Sequence, residues 1–159
     1  MTQRHLLIVA HAPSDNTKKL RDAVADGAQS PDIQGVEVVC RNPFEAEPED
    51  ALAAQAIILG TTENLGYMSG ALKDFFDRIY YPCLEQSEGL PYAVYIRAGH
   101  DGTGTRRGIE TIVTGLRWRS VQEPAICQRD WNDGFVPMCE ELGASMAAGL
   151  SCYHQLLPC

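Results

Sequence analysis

Three short uncharged apolar runs punctuate the chain, Leu6 to Ala10, Ala56 to Leu59 and Tyr92 to Ile96, each followed by a Gly-, Ser- or Thr-rich stretch and then a helical repeat. Continuous apolar runs of this length fit strands buried on both faces, and their alternation with helical segments predicts parallel strands joined by crossover helices. Val36-Glu37-Val38-Val39-Cys40 carries a charge, and Val121 to Cys127 is interrupted by Glu123 and Pro124. Edge strands tolerate both features, so these two lie outside the other three. Leu72, Phe75, Phe76, Ile79 and Tyr80 recur at helical spacing, with Lys73–Asp77 and Asp74–Arg78 as charge pairs on the outer face. Ile109, Ile112, Val113 and Leu116 repeat that spacing, Leu20, Val24 and Ala28 do so more weakly, and Phe135, Cys139, Leu142, Met146 and Leu150 supply a final helix. Pro43 to Asp50 reads as an acidic surface loop leading into a short second helix. The prediction is an α/β fold in three layers: a five-stranded parallel sheet of order 2-1-3-4-5 with helices on both faces.

The 159 residues match one domain, and with no internal repeat, low-complexity tract or linker, residues 1–159 read as a single unit. Thirteen basic residues against twenty-one acidic ones give a net charge of −8, and the lysines are only Lys18, Lys19 and Lys73. That balance argues against a sequence-independent nucleic-acid binder and against an anionic membrane surface. Five apolar residues from Leu6 to Ala10 are too few for a signal or a span, which leads to the expectation of a cytoplasmic protein. The cysteines at 40, 83, 127, 139, 152 and 159 make neither a Cys-x-x-Cys pair nor a zinc spacing. They are expected to be reduced, with Cys159 a candidate exposed thiol and no metal site.

In a sheet of this order the ligand crevice opens at the carboxyl ends of the strands, between strands one and three. Three loops meet there. In His11-Ala12-Pro13-Ser14-Asp15-Asn16-Thr17, the donors Ser14, Asn16 and Thr17 sit where a helix exposes free amides, a place for a phosphate or for an ordinary N-cap. Gly60 to Gly70 reads as a loop longer than a strand-to-helix turn needs, and its hydroxyls, Asn64, Leu65 and Tyr67 suit a flat polar heterocycle. Ser69 doubles as a candidate helix cap. In Ala98-Gly99-His100-Asp101-Gly102-Thr103-Gly104, three glycines permit close backbone approach, and His100 is either a donor or a plain loop histidine. The run Gly102-x-Gly104-x-x-x-Gly108 imitates a dinucleotide fingerprint but follows the wrong strand, with only 55 residues after Gly104.

Together these loops resemble the flavodoxin-like superfamily, on its side of NAD(P)H-dependent FMN reductases and quinone-reductase-type flavoproteins. Ser14-Asp15-Asn16-Thr17 stands where flavodoxins place a phosphate loop, and Gly60, Thr61, Gly66, Met68, Ser69 and Gly70 match the flavin loop of the quinone reductases without a gap. The resemblance implies a three-layer flavodoxin-like fold and noncovalent FMN. Its phosphate would lie on Ser14, Asn16 and Thr17. Its ring would lie against Thr62, Glu63, Asn64, Leu65, Gly66, Tyr67, Met68, Ala98, Gly99, His100 and Gly102. Asp15 replaces the glycine that often precedes the Asn, and its charge opposes a phosphate if it points inward.

The flavin would carry the redox chemistry, so no catalytic side chain is assigned. The function this implies is an FMN-dependent oxidoreductase taking electrons from NAD(P)H and passing them to a quinone or similar acceptor, with Arg106 and Arg107 as candidates for the dinucleotide phosphates. The alternatives are a flavodoxin-type electron carrier docking redox proteins through its acidic surface, and a degenerate flavin-free binding domain. Tyr80, Tyr81 and the apolar last helix are candidate surfaces for a homodimer.

Overall fold

The computed structural model describes the backbone of residues 3–156 and the side chains of residues 3–151. Cys159, with its expected thiol exposure, lies outside the described residues. In chain order the elements are β1 (Arg4–Ala10), α1 (Asp15–Ala28), β2 (Val36–Arg41), α2 (Pro48–Ala53), β3 (Ala56–Asn64), β4 (Tyr67–Met68), α3 (Gly70–Cys83), β5 (Pro91–Ala98), α4 (Thr103–Gly115), β6 (Arg119–Ser120), β7 (Ala125–Gln128) and α5 (Phe135–Leu156).

The sheet runs β2-β1-β3-β5-β6, and β7 also pairs with β5 farther along the same edge. β1, β3 and β5 pair parallel, with Ile8 beside Ile58 and Leu59 beside Val94. The three apolar runs are thus the central strands and the charged Val36–Arg41 an edge, in the predicted order. Two details differ. The single fifth strand is a pair of short ones, because Val121 to Pro124 departs from the ladder before Ala125 rejoins it. The segment after Gly60 is a strand as well: Thr61 and Thr62 continue the ladder opposite Ile96 and Arg97. The chain then reverses in a two-residue turn, with Leu65 at φ 53° and Gly66 at φ 77°, so that Tyr67 and Met68 pair back antiparallel on Asn64 and Glu63. Positive φ at both central positions is the signature of a type I′ hairpin.

Strand alternation divides the core in two. Leu7, Val9, Ile57, Leu59, Val94 and Ile96 face a layer of Leu72, Phe75, Phe76 and Ile79 from α3 and Ile109 and Val113 from α4. Leu6, Ile8, Ile58 and Tyr95 face Leu20 and Val24 of α1 and Cys139, Leu142 and Met146 of α5. α1 and α5 touch backbone to backbone. A Cβ on Gly27 would fall 1.9 Å from the Glu140 carbonyl oxygen, and one on Gly143 would fall 2.0 Å from that of Val24. Cys83, Cys127 and Cys139 are buried free thiols, and Cys40 is exposed on the edge strand. Among the described residues no helix is long and apolar enough to cross a membrane, and no cluster of three or more His, Cys, Asp or Glu could hold a metal ion.

Candidate functional site

β1 ends at Ala10, and the His11 amide donates to the Gly60 carbonyl at 3.0 Å, which ties the first loop to β3. Ser14 is the N-cap of α1: its hydroxyl accepts from the Thr17 amide at 3.2 Å, while the Ser14 amide donates back to the Thr17 hydroxyl at 2.9 Å. This reciprocal capping box fixes the loop. The Lys18 amide is bonded to the Ser14 carbonyl. The first-turn amides of Asp15 and Asn16 remain, since a helix offers its first residues no acceptor. They point along the positive end of the α1 dipole, where an anion is favoured.

The hairpin β3–β4 forms the second wall. At its base the Thr61 hydroxyl accepts from the buried Ser69 amide at 3.0 Å and donates to the Thr62 carbonyl at 2.9 Å. Ser69 in turn caps α3 by accepting from the Leu72 amide. The Thr62 hydroxyl donates to Asn64 Oδ1 at 2.9 Å. The tip carries Leu65, fully exposed, beside the half-open ring of Tyr67.

The third wall is the turn from β5 into α4, with Gly102 at φ 72° as the N-cap. Glu63 joins it to the hairpin: Oε1 accepts from the His100 amide at 3.0 Å and Oε2 from the Gly102 amide at 2.8 Å. Two glycines on α4 complete the seat. A Cβ on Gly104 would sit 2.1 Å from the Gly66 carbonyl oxygen, and one on Gly108 would sit 2.4 Å from the Tyr67 ring. The fingerprint-like glycine pattern therefore serves close packing against the chain's own hairpin rather than a pyrophosphate.

The residues expected at the site converge on one end of the sheet, with differing roles. Ser14, Asn16 and Thr17 form the start of α1, and Thr62, Glu63, Asn64, Leu65, Gly66 and Tyr67 form the hairpin. Gly99, His100 and Gly102 supply the opposing turn. The side chains of Met68 and Ala98 are buried in the α3–α4 core, so these two offer a ligand only their backbone. Arg106 is taken up by Glu110 at 2.7 Å and Glu123 at 3.9 Å, while Arg107 is exposed. Two polar side chains at this end carry buried atoms with no partner among the described residues, His11 Nδ1 and Thr105 Oγ1. Burial pushes the His11 imidazole below its ordinary value. Thr105 carried no signal in the sequence, since a threonine in a first helical turn reads as solvated.

A cavity of about 500 Å³ opens at the opposite end of the sheet, near Arg4, Ala56, Pro91 and Arg119. Two of its polar side chains are already engaged. Gln55 accepts from the His5 amide and donates to the Ala53 carbonyl, and Ser87 accepts from the Trp118 indole.

No family model matches the chain. It is 31% identical over 111 residues to a flavodoxin of Aquifex aeolicus, covering 70% of this chain and 59% of that protein. It is 33% identical over 94 residues to an NAD(P)H dehydrogenase (quinone) of Archaeoglobus fulgidus, covering 45% of this chain and 49% of that one. The chain thus spans about half the length of the curated relatives it matches. A solved structure of a flavodoxin from the domain Archaea superimposes with a TM-score of 0.75 at 18% identity, covering 92% of this chain and 98% of that chain. Strand order, helix placement and these likenesses agree that the chain has the flavodoxin-like fold.

Proposed function

We propose that this chain binds FMN at the three loops and works as an oxidoreductase that takes electrons from NAD(P)H and delivers them to a quinone or a similar acceptor. The observation that carries the reading is the convergence of backbone donors at the switch point of the sheet: open amides of Asp15 and Asn16 at the start of α1, and the paired amides of His100 and Gly102 across from them.

The donor set fits the group. A monophosphate needs amides at a helix start, which α1 offers without a metal ion. A flavin ring needs apolar faces and an edge of donors, which Leu65, Tyr67 and the turn at Gly99–Gly102 offer. Nothing lies within 4 Å of the position of a Cβ on Gly99, so the backbone there is free to be approached. Thr105 and His11 hold unspent polar atoms at the same end. FMN, when bound, supplies hydride and electron transfer. The chain's own work is to fix the phosphate at Ser14–Thr17, hold the ring edge through the third loop and keep water from it with the hairpin. Asp15 is exposed in the first turn, where it opposes a phosphate charge without blocking the amides.

One observation favours a second reading, an electron carrier without its own NAD(P)H oxidation. Arg106, a candidate for a dinucleotide phosphate, is engaged with two glutamates, and the net charge is −8. The experiment is an FMN titration followed by anaerobic addition of NADH or NADPH. Quenching of FMN fluorescence at one equivalent supports the site, and bleaching of the flavin's visible band supports the oxidoreductase. FMN uptake without bleaching selects the carrier, and failure to take up FMN refutes the site.

A further inference from the structure

We propose that Glu63 is a built-in latch on the ligand mouth: its carboxylate occupies the two amides that a flavin ring edge would use, and the ring binds by replacing it. The inference rests on the FMN reading above and adds a residue that sets how tightly the ring is taken.

The geometry is specific. The two oxygens of one carboxylate accept from the His100 amide at 3.0 Å and the Gly102 amide at 2.8 Å, so two backbone donors meet two acceptor atoms that share a single carbon. An oxidised flavin presents the same motif on the pyrimidine side of its ring, a carbonyl oxygen and a ring nitrogen bonded to one carbon. Amides aimed at the carboxylate pair are therefore aimed correctly for that edge. Charge-assisted bonds of this kind are roughly twice as strong as neutral ones. In the free protein the carboxylate takes the place that water would otherwise hold on these two donors.

The hairpin is built to bring Glu63 there. Glu63 lies two residues before the turn tip, opposite Met68, whose side chain is buried in the core and anchors the returning strand. The Gly66 carbonyl rests on Gly104, backbone against backbone, so the hairpin's height above α4 is set by contact. The latch then needs only rotation of the Glu63 side chain to open, with no movement of the hairpin. The exposed tip, with Leu65 in the left-handed region, is left as an apolar cover for a seated ring.

The test uses the full chain and three forms: wild type, Glu63→Gln and Glu63→Ala. Amide hydrogen exchange at His100 and Gly102 is read in the ligand-free proteins, and FMN and riboflavin dissociation constants are read by fluorescence quenching. The wild type is expected to protect both amides, and Glu63→Ala to lose that protection and regain it on FMN addition. Glu63→Ala is expected to bind FMN and riboflavin about tenfold more tightly than wild type. Glu63→Gln, which still offers one acceptor but turns a donor toward the second amide, is expected to fall between them. Weaker binding in Glu63→Ala would make the carboxylate the ring's partner rather than its substitute and overturn the proposal. So would unprotected amides in the wild type, or equal affinity gains in Gln and Ala with unchanged exchange, the pattern of a charge effect alone. Protected amides with no FMN uptake in any form would refute the flavin reading and remove the latch's ligand with it.

Discussion

Replacing Gly104 by alanine tests the seat on which the candidate site is built. The new Cβ would fall 2.1 Å from the Gly66 carbonyl oxygen, which belongs to backbone in a tight turn and cannot swing aside. A carbon–oxygen contact relaxes only near ~3.3 Å, so the hairpin must retreat by roughly an ångström. Overpacking of this kind costs ~1–3 kcal/mol, and alanine returns up to ~1 kcal/mol as the better helix former. The expected net loss is ~1–2 kcal/mol, which for a chain of this size lowers Tm by about 2–8 °C. Gly108→Ala meets the rim of a Tyr67 ring that is 38% exposed and free to turn outward, so it should be near neutral. Gly149→Ala, exposed in α5 with nothing within 4 Å, should raise stability by ~0.5–1 kcal/mol. Circular-dichroism melts of the three variants give the order directly. A Gly104→Ala protein as stable as wild type would refute the backbone contact, and the ordering of hairpin and third loop argued from it.

Three further outcomes follow from buried polar groups. Thr61→Val leaves the buried Ser69 amide without its acceptor and should cost ~1–3 kcal/mol in urea melts; an unchanged midpoint would show that the amide finds another partner. Tyr95 is fully buried with its hydroxyl unpartnered, and burial holds its pKa well above the usual range, so Tyr95→Phe should be neutral or stabilising by up to ~1 kcal/mol, and a clear loss of stability would reveal a hidden partner. For His11, burial lowers the folded pKa below its ordinary 6.5, so its neutral form is favoured by folding; its contribution is complete above 6.5 and is lost as pH falls from there through the lower folded pKa. An NMR titration should place the His11 midpoint below 6.5 in the free protein and move it upward when inorganic phosphate is added; a midpoint unchanged by phosphate would separate His11 from the anion site.

The sheet was legible because buried parallel strands leave a plain record. Leu6–Ala10, Ala56–Leu59 and Tyr92–Ile96 must be apolar on both faces, and the weaker Val36–Arg41 must carry its charge at an edge. The caps were legible for a similar reason, since Ser14 and Ser69 stand where free amides need an acceptor. The hairpin was not. Glycine and threonine from Gly60 to Thr62 read as loop residues by composition, yet they continue a ladder against β5, and its pairing partners lie more than thirty residues away. The turn itself places Leu65 in a left-handed conformation that sequence preference assigns to Asn or Gly. Glu63's bond to the third loop spans 37 and 39 residues and leaves no local trace.

The glycines on α4 show why residue type alone underdetermines a site. A missing Cβ lets any atom approach, and the run Gly102, Gly104, Gly108 is compatible with a phosphate, a ring or a peptide carbonyl. The structure resolves the ambiguity through what already fills the space. Gly102 takes a left-handed N-cap, while Gly104 and Gly108 receive the hairpin. The phosphate end of the mouth depends on a different set of contacts, the capping box in which Ser14 and Thr17 hold the start of α1. The two ends are joined where β1 pairs with β3, the last link being the His11–Gly60 backbone bond. It follows that the halves of the site should respond separately to mutation. Ser14→Ala removes the cap that fixes the start of α1 and should weaken FMN while leaving riboflavin, which lacks the phosphate, nearly unaffected. A change at Gly104 shifts the hairpin and should weaken both ligands by the same factor. Comparing the two ligands on the two variants therefore separates anchoring of the phosphate from seating of the ring, and equal losses of both ligands in Ser14→Ala would show that the mouth responds as one rigid unit.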